Sequence, residues 1–336
     1  MRAILIRRPG PPRILRVEEH PEPAPVHGQV LIQVRAAGVN FADVLSRQGL
    51  YPDAPRRPFI PGYETSGDVL SLGPGAEGFR VGDRVLAFHV GGGYAERIAV
   101  PATQVIPIPD GMSYQSAVVL PLNYGSAHVA LYRTGPIEPG MRIFIHAAAG
   151  GVGLAAVDLA RGAGLEITGG ASTHFKRERL LAEGVKHVVP SFRLRVDRAS
   201  RRFYGGPGYD IVLDSVGGRG IRGGLRALRP GGRLVTLGVG AISRRGLLGA
   251  LIFALRSPRI SYLGLLRESR GIHGVNLLRL LRQPSLVRGT LESLIGAATR
   301  DAIRPEPGRV VPFEEAPLAH QLLEARRNVG KIVLRM

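Results

Sequence analysis

The sequence predicts an α/β protein in which a mostly β domain is followed by a doubly wound parallel sheet. The first 120 residues are rich in valine, glycine and proline, and alternating runs such as 29–34 are separated by turn signals. From about residue 120 to 265 apolar strands alternate with helical segments, which is typical of a parallel sheet with helices on both faces. A glycine-rich turn at 146–153 joins the first of these strands to a helix.

Short alternating strands and recurrent turns predict that the first domain is a compact, irregular barrel. Its turn signals include the segments 73–75 and 81–83, each built around glycine. The carboxyl-terminal strand, expected at 331–334, could return to pair with this domain.

In the second region each strand is predicted from an apolar run that ends near a turn. The predicted strands are 142–146, 166–170, 187–189, 210–214, 233–238 and 259–264. Helices are expected at 154–164, 277–281 and 291–298. Six strands with crossover helices form a doubly wound sheet. The predicted domains are residues 1–121 and residues 122–265, and residues 266–336 are expected to return to the first domain.

Composition excludes several classes of protein. The chain of 336 residues contains no cysteine, which excludes disulfides, thiolate zinc sites and a thiol nucleophile. No apolar stretch reaches the roughly 18 residues that span a bilayer, and the longest, 246–255, is at most a buried or interfacial helix. We see no signal peptide, and we expect a cytoplasmic protein.

The formal net charge is +19, and only three of the 45 basic residues are lysine. Either the charge reflects an arginine-rich composition or it forms a functional basic surface that attracts phosphate or anionic membranes. Arginine is scattered along the chain except around 193–202, and no nucleic-acid-binding motif accompanies it. Nucleic acid is therefore not an expected partner, and RNA binding is a third possibility that rests mainly on charge.

The glycine-rich turn predicts a dinucleotide site. It has the pattern Ala-x-x-Gly-x-x-Gly, formed by Ala147, Gly150 and Gly153. A strand, a tight turn and a helix N-terminus together present backbone N–H groups and a positive dipole end to a pyrophosphate. Glycine lets the phosphate approach the backbone, although a glycine-rich packing turn would have the same pattern.

The segment after the second strand indicates which dinucleotide binds. An NAD site usually has Asp or Glu about twenty residues after the glycines, and none occurs in 169–177. Ser172, Lys176 and Arg177 could instead bind the 2′-phosphate of NADPH through charge-assisted hydrogen bonds. The alternative is that Lys176 and Arg177 only solvate a helix face.

Two further loops follow strands and should line the nicotinamide side of the cofactor. They occupy 214–218 and 238–240, and their small residues would let a ring pass close to the backbone. Capping of the following helices is their alternative role.

Several motifs in order resemble the medium-chain dehydrogenase/reductase superfamily over nearly the whole chain. They lie at 37–43, 47–52, 60–67, 121–124, 146–153 and 328–334. Within the superfamily they resemble the zinc-free quinone oxidoreductase branch that includes zeta-crystallin, and most closely the vesicle amine transport protein homologues. The resemblance implies a GroES-like domain and a Rossmann domain.

The resemblance also implies an activity. Zinc alcohol dehydrogenases of the superfamily hold the metal with Cys, His and Cys, and the matching positions here are Asn40, Tyr63 and approximately Leu122. We therefore expect no catalytic zinc, and we expect hydride transfer from NADPH to quinones or α,β-unsaturated carbonyl compounds. A membrane-surface lipid-binding or transfer protein without turnover is the alternative, motivated by charge, by 246–255 and by the vesicle-protein resemblance.

By resemblance Asn40 and Tyr51 face the nicotinamide and the substrate, and Ser126 approaches the cofactor. Tyr51 could instead be a loop aromatic packed on proline, while Tyr63 and Glu64 are interpreted as structural. The expected cofactor-binding residues are Asn40, Ser126, Ala149, Gly150, Gly151, Val152, Ser172, Lys176, Ser215, Gly238 and Val239. A homodimer along the predicted strand 259–264 is also implied. Related enzymes often have a tyrosine after the third strand, where this chain has Pro190 followed by Ser191.

Overall fold

A computed structural model describes residues 1–190, 196–238 and 257–336, together with 249, 251 and 253–255. The chain divides into two compact units, one of Met1–Gly125 with Leu277–Met336 and one of Ser126–Asn276. Within the described ranges, no helix is both long enough and apolar enough to cross a membrane.

The strands are numbered in chain order through both units. They are β1 Arg2–Ile4, β2 Val17–Glu19, β3 Gln29–Val39, β4 Glu64–Leu72, β5 Arg84–Phe88, β6 Arg97–Pro101, β7 Val105–Pro107, β8 Arg142–Ile145, β9 Glu166–Ala171, β10 His187–Pro190, β11 Tyr209–Asp214, β12 Leu228–Thr236, β13 Gly271–Gly274, β14 Arg309–Pro312 and β15 Ile332–Arg335.

The α-helices are numbered in the same way. They are α1 Phe41–Gln48, α2 Tyr114–Ala117, α3 Gly125–Tyr132, α4 Gly151–Gly162, α5 His174–Ala182, α6 Val196–Tyr204, α7 Arg219–Ala227, α8 Tyr262–Arg267, α9 Leu277–Leu280, α10 Pro284–Thr299 and α11 Ala316–Glu324. A π-helical turn, Leu120–Tyr124, precedes α3.

The first unit contains a seven-stranded sheet in the order β14-β15-β3-β4-β5-β7, with β6 also paired to β3. The long strand β3 alternates buried and half-buried residues over most of its length, as a strand with one face on a core does. Strand β15 pairs antiparallel with β3 and parallel with β14, which confirms that the terminal strand returns to the first domain.

The second unit contains a six-stranded parallel sheet in the order β10-β9-β8-β11-β12-β13. Strand order therefore reverses between β8 and β11, which are neighbours in the sheet but are separated in sequence by two other strands. The buried side chains of Phe144, Tyr209, Val212 and Leu234 belong to its core. This architecture confirms the predicted doubly wound sheet, and ligands of such sheets bind at the carboxyl ends of the strands beside the reversal.

The predicted last strand, 259–264, is wrong. Residues Tyr262–Arg267 form helix α8, whose N-cap Ser261 accepts a hydrogen bond through Oγ from the Gly264 N–H at 3.3 Å. The sixth strand is instead Gly271–Gly274, which pairs with β12. The segment 259–264 contains apolar and aromatic residues that favour a strand, whereas a four-residue strand that begins and ends with glycine has no detectable periodicity. The strand along which the homodimer was expected is therefore absent, while the homodimer itself stays a prediction.

Some predicted features lie outside the described residues. These are the cofactor-binding position Val239, most of the apolar stretch 246–255 and the beginning of the arginine-rich stretch 193–202.

Candidate active site

The glycine-rich turn lies between β8 and α4, at the carboxyl edge of the parallel sheet. The Ala148 N–H donates to the Gly170 carbonyl of β9 at 3.0 Å, and the Gly150 N–H donates to the Ala147 carbonyl at 2.8 Å. Gly150 is the N-cap of α4, and a Cβ on Gly153 would lie 2.3 Å from the Ala147 oxygen. Gly153 therefore allows close contact between the turn and the helix.

The first turn of α4 can bind an anion. Its early N–H groups have no carbonyl within the helix to bind, and the helix dipole places partial positive charge at this end. Ala149 is buried and the glycines beside it are half-buried. The predicted residues Ala149, Gly150, Gly151 and Val152 thus form one short stretch of backbone whose N–H groups suit a pyrophosphate.

A histidine and an aspartate connect the two strands at the reversal. His146 follows β8 and Asp214 ends β11, and His146 Nδ1 lies 2.8 Å from Asp214 Oδ1. The Asp214 carboxylate also accepts from the N–H groups of Val216 and Gly217. Burial acts to raise the pKa of Asp214, but the contact with His146 and the backbone N–H groups outweigh it and hold that pKa low. No motif in the sequence indicates this pair, although both residues end predicted strands that are neighbours in a doubly wound sheet.

The loops after β11 and β12 approach each other beside this pair. Ser215 Oγ lies 3.4 Å from the His146 carbonyl oxygen. A Cβ on Gly238 would lie 3.4 Å from the Ser215 carbonyl oxygen. The predicted residues Ser215 and Gly238 are therefore close to one another and to the end of β8.

The segment after β9 carries the residues predicted to bind a 2′-phosphate. Ser172 is exposed, Arg177 is half-buried, and Lys176 is only 8% exposed. Thr173 caps α5 by accepting from the Lys176 N–H at 3.3 Å. No carboxylate occurs between the end of β9 and Arg177, so nothing in this segment would repel a phosphate. Ser126 lies near the start of α3 and is half-buried.

The first unit holds a buried polar cluster around Asn40, which directly precedes α1. Lys331 donates through Nζ both to Asn40 Oδ1 and to Glu64 Oε1. Asn40 Nδ2 donates to Glu64 Oε1 at 2.9 Å, and the Leu122 N–H donates to Glu64 Oε2 at 2.9 Å. Glu64 is fully buried and Lys331 is 2% exposed. The four residues, which we call the Asn40 cluster, join β3–α1, β4, the π-helical turn and the segment before β15.

A second buried carboxyl group lies beside this cluster. Asp43 accepts hydrogen bonds from the N–H groups of Asn40 and Gly62, each at 2.8 Å. Burial raises the pKa of Asp43 to about 7, against the opposing effect of those hydrogen bonds. Asp43 fixes the start of α1 and thereby the position of Asn40.

Two tyrosines lie close to α1. The rings of Tyr51 and Tyr63 meet edge to face with centroids 6.0 Å apart. The Tyr63 hydroxyl is 2.7 Å from Ser46 Oγ, and Ser46 Oγ donates to the Ala42 carbonyl. Burial raises the pKa of Tyr51 to about 12, so its hydroxyl stays protonated and can donate a hydrogen bond near neutral pH.

The residues that by resemblance match the ligands of zinc alcohol dehydrogenases have the wrong chemistry for zinc. Asn40 uses its amide oxygen to bind Lys331, Tyr63 is a buried phenol, and Leu122 contributes a backbone N–H. Within the described ranges, no group of three His, Cys, Asp or Glu side chains could hold a metal ion. A lysine ammonium lies against the residue that corresponds to the first zinc ligand.

Two family descriptions match the chain. Residues 26–110 match the alcohol dehydrogenase GroES-like domain, and residues 183–334 match the zinc-binding dehydrogenase family. The human synaptic vesicle membrane protein VAT-1 homolog is 34% identical over 316 residues, covering 93% of this chain and 80% of the relative. The chain belongs to the medium-chain dehydrogenase/reductase superfamily.

Solved structures of the superfamily agree with this assignment. A mycobacterial protein solved in complex with NADPH is 30% identical and superposes with a TM-score of 0.89, covering 100% of both chains. The Escherichia coli quinone oxidoreductase, also solved with NADPH, is 25% identical with a TM-score of 0.88, again covering 100% of both chains. The predicted superfamily, the GroES-like domain and the Rossmann sheet are thus confirmed.

Proposed function

We propose that this protein is a zinc-independent oxidoreductase that uses NADPH to reduce quinones or α,β-unsaturated carbonyl compounds. The observation that carries the proposal is the Asn40 cluster, in which an amide stands at the position matching a zinc ligand and its oxygen binds the ammonium of Lys331. A simple ketone is a poor hydride acceptor without a metal to polarise it. Conjugated acceptors spread the developing negative charge, so that a few hydrogen-bond donors suffice to stabilise it.

NADPH fits the residues of the second unit. The turn from Ala149 to Val152 would hold the pyrophosphate, because the Gly153 position leaves no space for a side chain and the early N–H groups of α4 are available. Ser172 and Lys176 would bind the 2′-phosphate, and Ser215 and Gly238 would line the nicotinamide side. When bound, NADPH supplies the hydride for the reaction. Relatives solved as NADPH complexes support this choice of cofactor.

Asn40 and Tyr51 are the candidates for binding the acceptor. Both are half-buried, and both carry a hydrogen that can be donated to an oxygen. A donor near the acceptor's carbonyl would orient it and stabilise the negative charge that forms there. Proposed catalysis therefore rests on orientation and hydrogen bonding, without a strong general base.

The test is acceptor-dependent oxidation of NADPH by purified protein, followed by nicotinamide absorbance with a panel of ortho-quinones and enals. We expect turnover that a zinc chelator does not reduce. Gly153→Ala should weaken NADPH binding, because the added Cβ would meet the Ala147 oxygen, whereas Gly206→Ala has open space and should not. Absence of turnover with every acceptor would contradict the proposal.

A second candidate is binding to an anionic membrane surface without turnover. It is favoured by the net charge of +19 and by three exposed apolar residues, Leu255, Tyr262 and Leu266, of which 77%, 76% and 72% are exposed. Co-sedimentation with phosphatidylserine vesicles would test it. Binding that persists at high salt in a protein without turnover would favour this function, whereas loss at moderate salt would indicate electrostatic attraction alone.

A further inference from the structure

We infer that Lys331 strengthens the Asn40 side-chain amide as a hydrogen-bond donor to the carbonyl oxygen of the substrate. Lys331 would thus be a positioning and polarising residue that acts through Asn40. The inference rests on the proposed function and deepens it, because it assigns a source of positive charge for a reaction without metal.

Charges on both sides fix the orientation of the Asn40 amide. Its oxygen accepts from the Lys331 ammonium, and its nitrogen donates to the Glu64 carboxylate at 2.9 Å. A flipped amide would place N–H against N–H and oxygen against carboxylate, so both contacts would become repulsive. The Lys331–Glu64 pair therefore specifies where the amide nitrogen points.

The amide nitrogen has a second hydrogen that is available. Glu64 takes one of the two hydrogens, and among the described residues no other acceptor binds Nδ2. Asn40 is half-buried, whereas Lys331 and Glu64 are almost completely buried. Only the asparagine can therefore present a donor of this cluster to a ligand.

The ammonium polarises that donor. Low dielectric around buried charges strengthens their effect on neighbouring dipoles. A cation at Oδ1 draws electron density from the amide nitrogen and makes its hydrogens more positive. Polarisation along a chain of hydrogen bonds of this kind strengthens each bond by about 10–30%.

The backbone leaves room for this arrangement at one glycine. A Cβ on Gly38 would lie 2.2 Å from Glu64 Oε1 and 2.7 Å from Glu64 Cγ. Gly38 pairs with Val333 of β15, two residues after Lys331. A side chain at position 38 would therefore displace the Glu64 carboxylate from its contact with the Lys331 ammonium.

Reduction of an enone consumes one hydride and one proton. The hydride would add to the β-carbon of the enone, the carbon–carbon double bond would shift toward the carbonyl carbon, and the electron pair of the carbonyl would move onto oxygen. The resulting enolate oxygen would accept the second N–H of Asn40. The α-carbon would then take a proton from a water molecule, and the hydroxide that remains would be neutralised by a proton from bulk solvent, which gives the saturated ketone. NADPH would supply the hydride and leave as NADP⁺, and Lys331 would transfer no proton.

A double-mutant cycle between Lys331 and Asn40 tests the inference. Loss of a preorganised oxyanion donor costs about 10²–10³-fold in kcat, so we expect that loss in Asn40→Ala and roughly tenfold in Lys331→Met, with little change in KM. Lys331→Arg should retain most of the activity because it keeps the cation. In the Asn40→Ala background, Lys331→Met should have no further effect on kcat, because its effect passes through the amide.

A second variant distinguishes loss of catalysis from loss of folding. Lys331→Met leaves Glu64 buried without its cation, and we expect this variant to be less stable than the wild type. Lys331→Met/Glu64→Gln removes both charges together. We expect this charge-free pair to remain folded and to show the same tenfold loss in kcat. A purely structural role would instead give losses that follow thermal stability and that Asn40→Ala does not abolish.

An activity-independent measurement uses the small number of asparagines. The chain has four, Asn40, Asn123, Asn276 and Asn328, so selective ¹⁵N-asparagine labelling gives four side-chain amide pairs. The Asn40 pair is identified by its loss in Asn40→Ala. Its proton resonances should lie downfield in the wild type and in Lys331→Arg, and should move upfield in Lys331→Met.

The possible outcomes separate the two claims. If the wild type reduces no conjugated acceptor, the proposed function fails, and the substrate role of the amide fails with it. If the wild type is active but Lys331→Met lowers kcat equally with and without Asn40, or leaves the Asn40 resonances unchanged, the inference alone is wrong.

Discussion

Charge placement at single residues decides which chemistry each unit can support. In the first unit, Lys331 and Glu64 form a buried ion pair, which is stable only if both charges have hydrogen-bond partners. Asn40 accepts a further hydrogen bond from Lys331, and Asn40 and Leu122 each donate one to Glu64. In the second unit, the segment after β9 has cationic side chains and lacks a carboxylate. One changed charge should therefore alter function at either place.

For the cofactor, the informative residue is Lys176. We expect Lys176→Glu to weaken NADPH binding about tenfold or more while leaving NADH binding nearly unchanged, because a carboxylate repels only the 2′-phosphate. Lys176→Met is the matched control, since it keeps an unbranched side chain at a position that is 8% exposed and removes only the charge. Its effect on NADPH should be smaller.

Isothermal titration calorimetry with both nucleotides measures these affinities. Circular dichroism shows whether each variant is folded. Unchanged NADPH affinity in Lys176→Glu would mean that the 2′-phosphate binds elsewhere.

At the scale of elements, a buried arginine connects three segments of the first unit. Arg47 in α1 donates to the Gly10 carbonyl at 2.5 Å, to His320 Nδ1 in α11 at 3.3 Å, and to Glu324 at the end of α11. Because Nδ1 of His320 accepts, its proton is on Nε2, which lies 3.2 Å from the Tyr94 hydroxyl. Helices α1 and α11 are therefore joined directly by hydrogen bonds of Arg47.

Removing this arginine should destabilise the protein strongly. We expect Arg47→Met to lower the free energy of unfolding by about 3–5 kcal/mol, because Glu324 and the Gly10 carbonyl lose their donor within a largely buried site. Arg8→Met, at an exposed position, should change it by about 0.5 kcal/mol or less. Urea denaturation of both variants measures the difference, and equal midpoints would contradict the role assigned to Arg47.

His320 should make stability depend on pH. Burial and the neighbouring Arg47 lower its pKa to about 3, whereas the unfolded chain takes up a proton near pH 6.5. The unfolded state therefore binds more protons between these values, and His320 alone reduces stability by about 1.4 kcal/mol for each pH unit below about 6.5. Asp43, whose pKa is raised to about 7, contributes the opposite slope over part of this range.

Comparison with a variant isolates the histidine. His320→Asn keeps an acceptor for Arg47 and cannot titrate, so its stability should fall less than that of the wild type as pH falls from about 6.5 to 4. Denaturation midpoints across that range provide the test. Parallel pH profiles for the two proteins would show that His320 does not control the slope.

In the whole molecule, the two units are not consecutive segments of the chain. The first unit is built from both ends of the chain, and the second from the segment Ser126–Asn276. Strand β15 lies between β14 and β3 within the seven-stranded sheet, so the final residues are internal to that sheet. The segment before it also supplies Lys331 to the Asn40 cluster.

Truncation should reveal this dependence. Deleting residues 329–336 removes β15 and leaves Glu64 without its ammonium, and we expect the first unit to lose cooperative unfolding. Arg335→Ala, an exposed change in the same strand, should leave the transition intact. Differential scanning calorimetry would detect the lost transition, and a native-like profile for the truncated chain would contradict the prediction.

The architecture follows from the amino-acid sequence, because the patterns that predict strands, turns and helices are local and repeated. Strand β8 and helix α4 follow from an apolar run, three small residues and an alanine-rich segment. The predicted bounds of strands β8 to β12 agree with the structure to within a few residues, except that β12 begins earlier, at Leu228. The sixth strand could not be predicted, because pairing with β12 stabilises the residues Gly271–Gly274 that have little strand preference of their own.

Which polar residues meet depends on how the strands and helices pack. Asn40, Glu64 and Lys331 are far apart in sequence, and neither periodicity nor composition shows that one ammonium binds both of the others. The same holds for His146 with Asp214 and for Arg47 with His320 and Glu324. Burial makes such contacts obligatory, since an unpaired charge inside the protein is costly, but only the packing of strands and helices determines which partner is within reach.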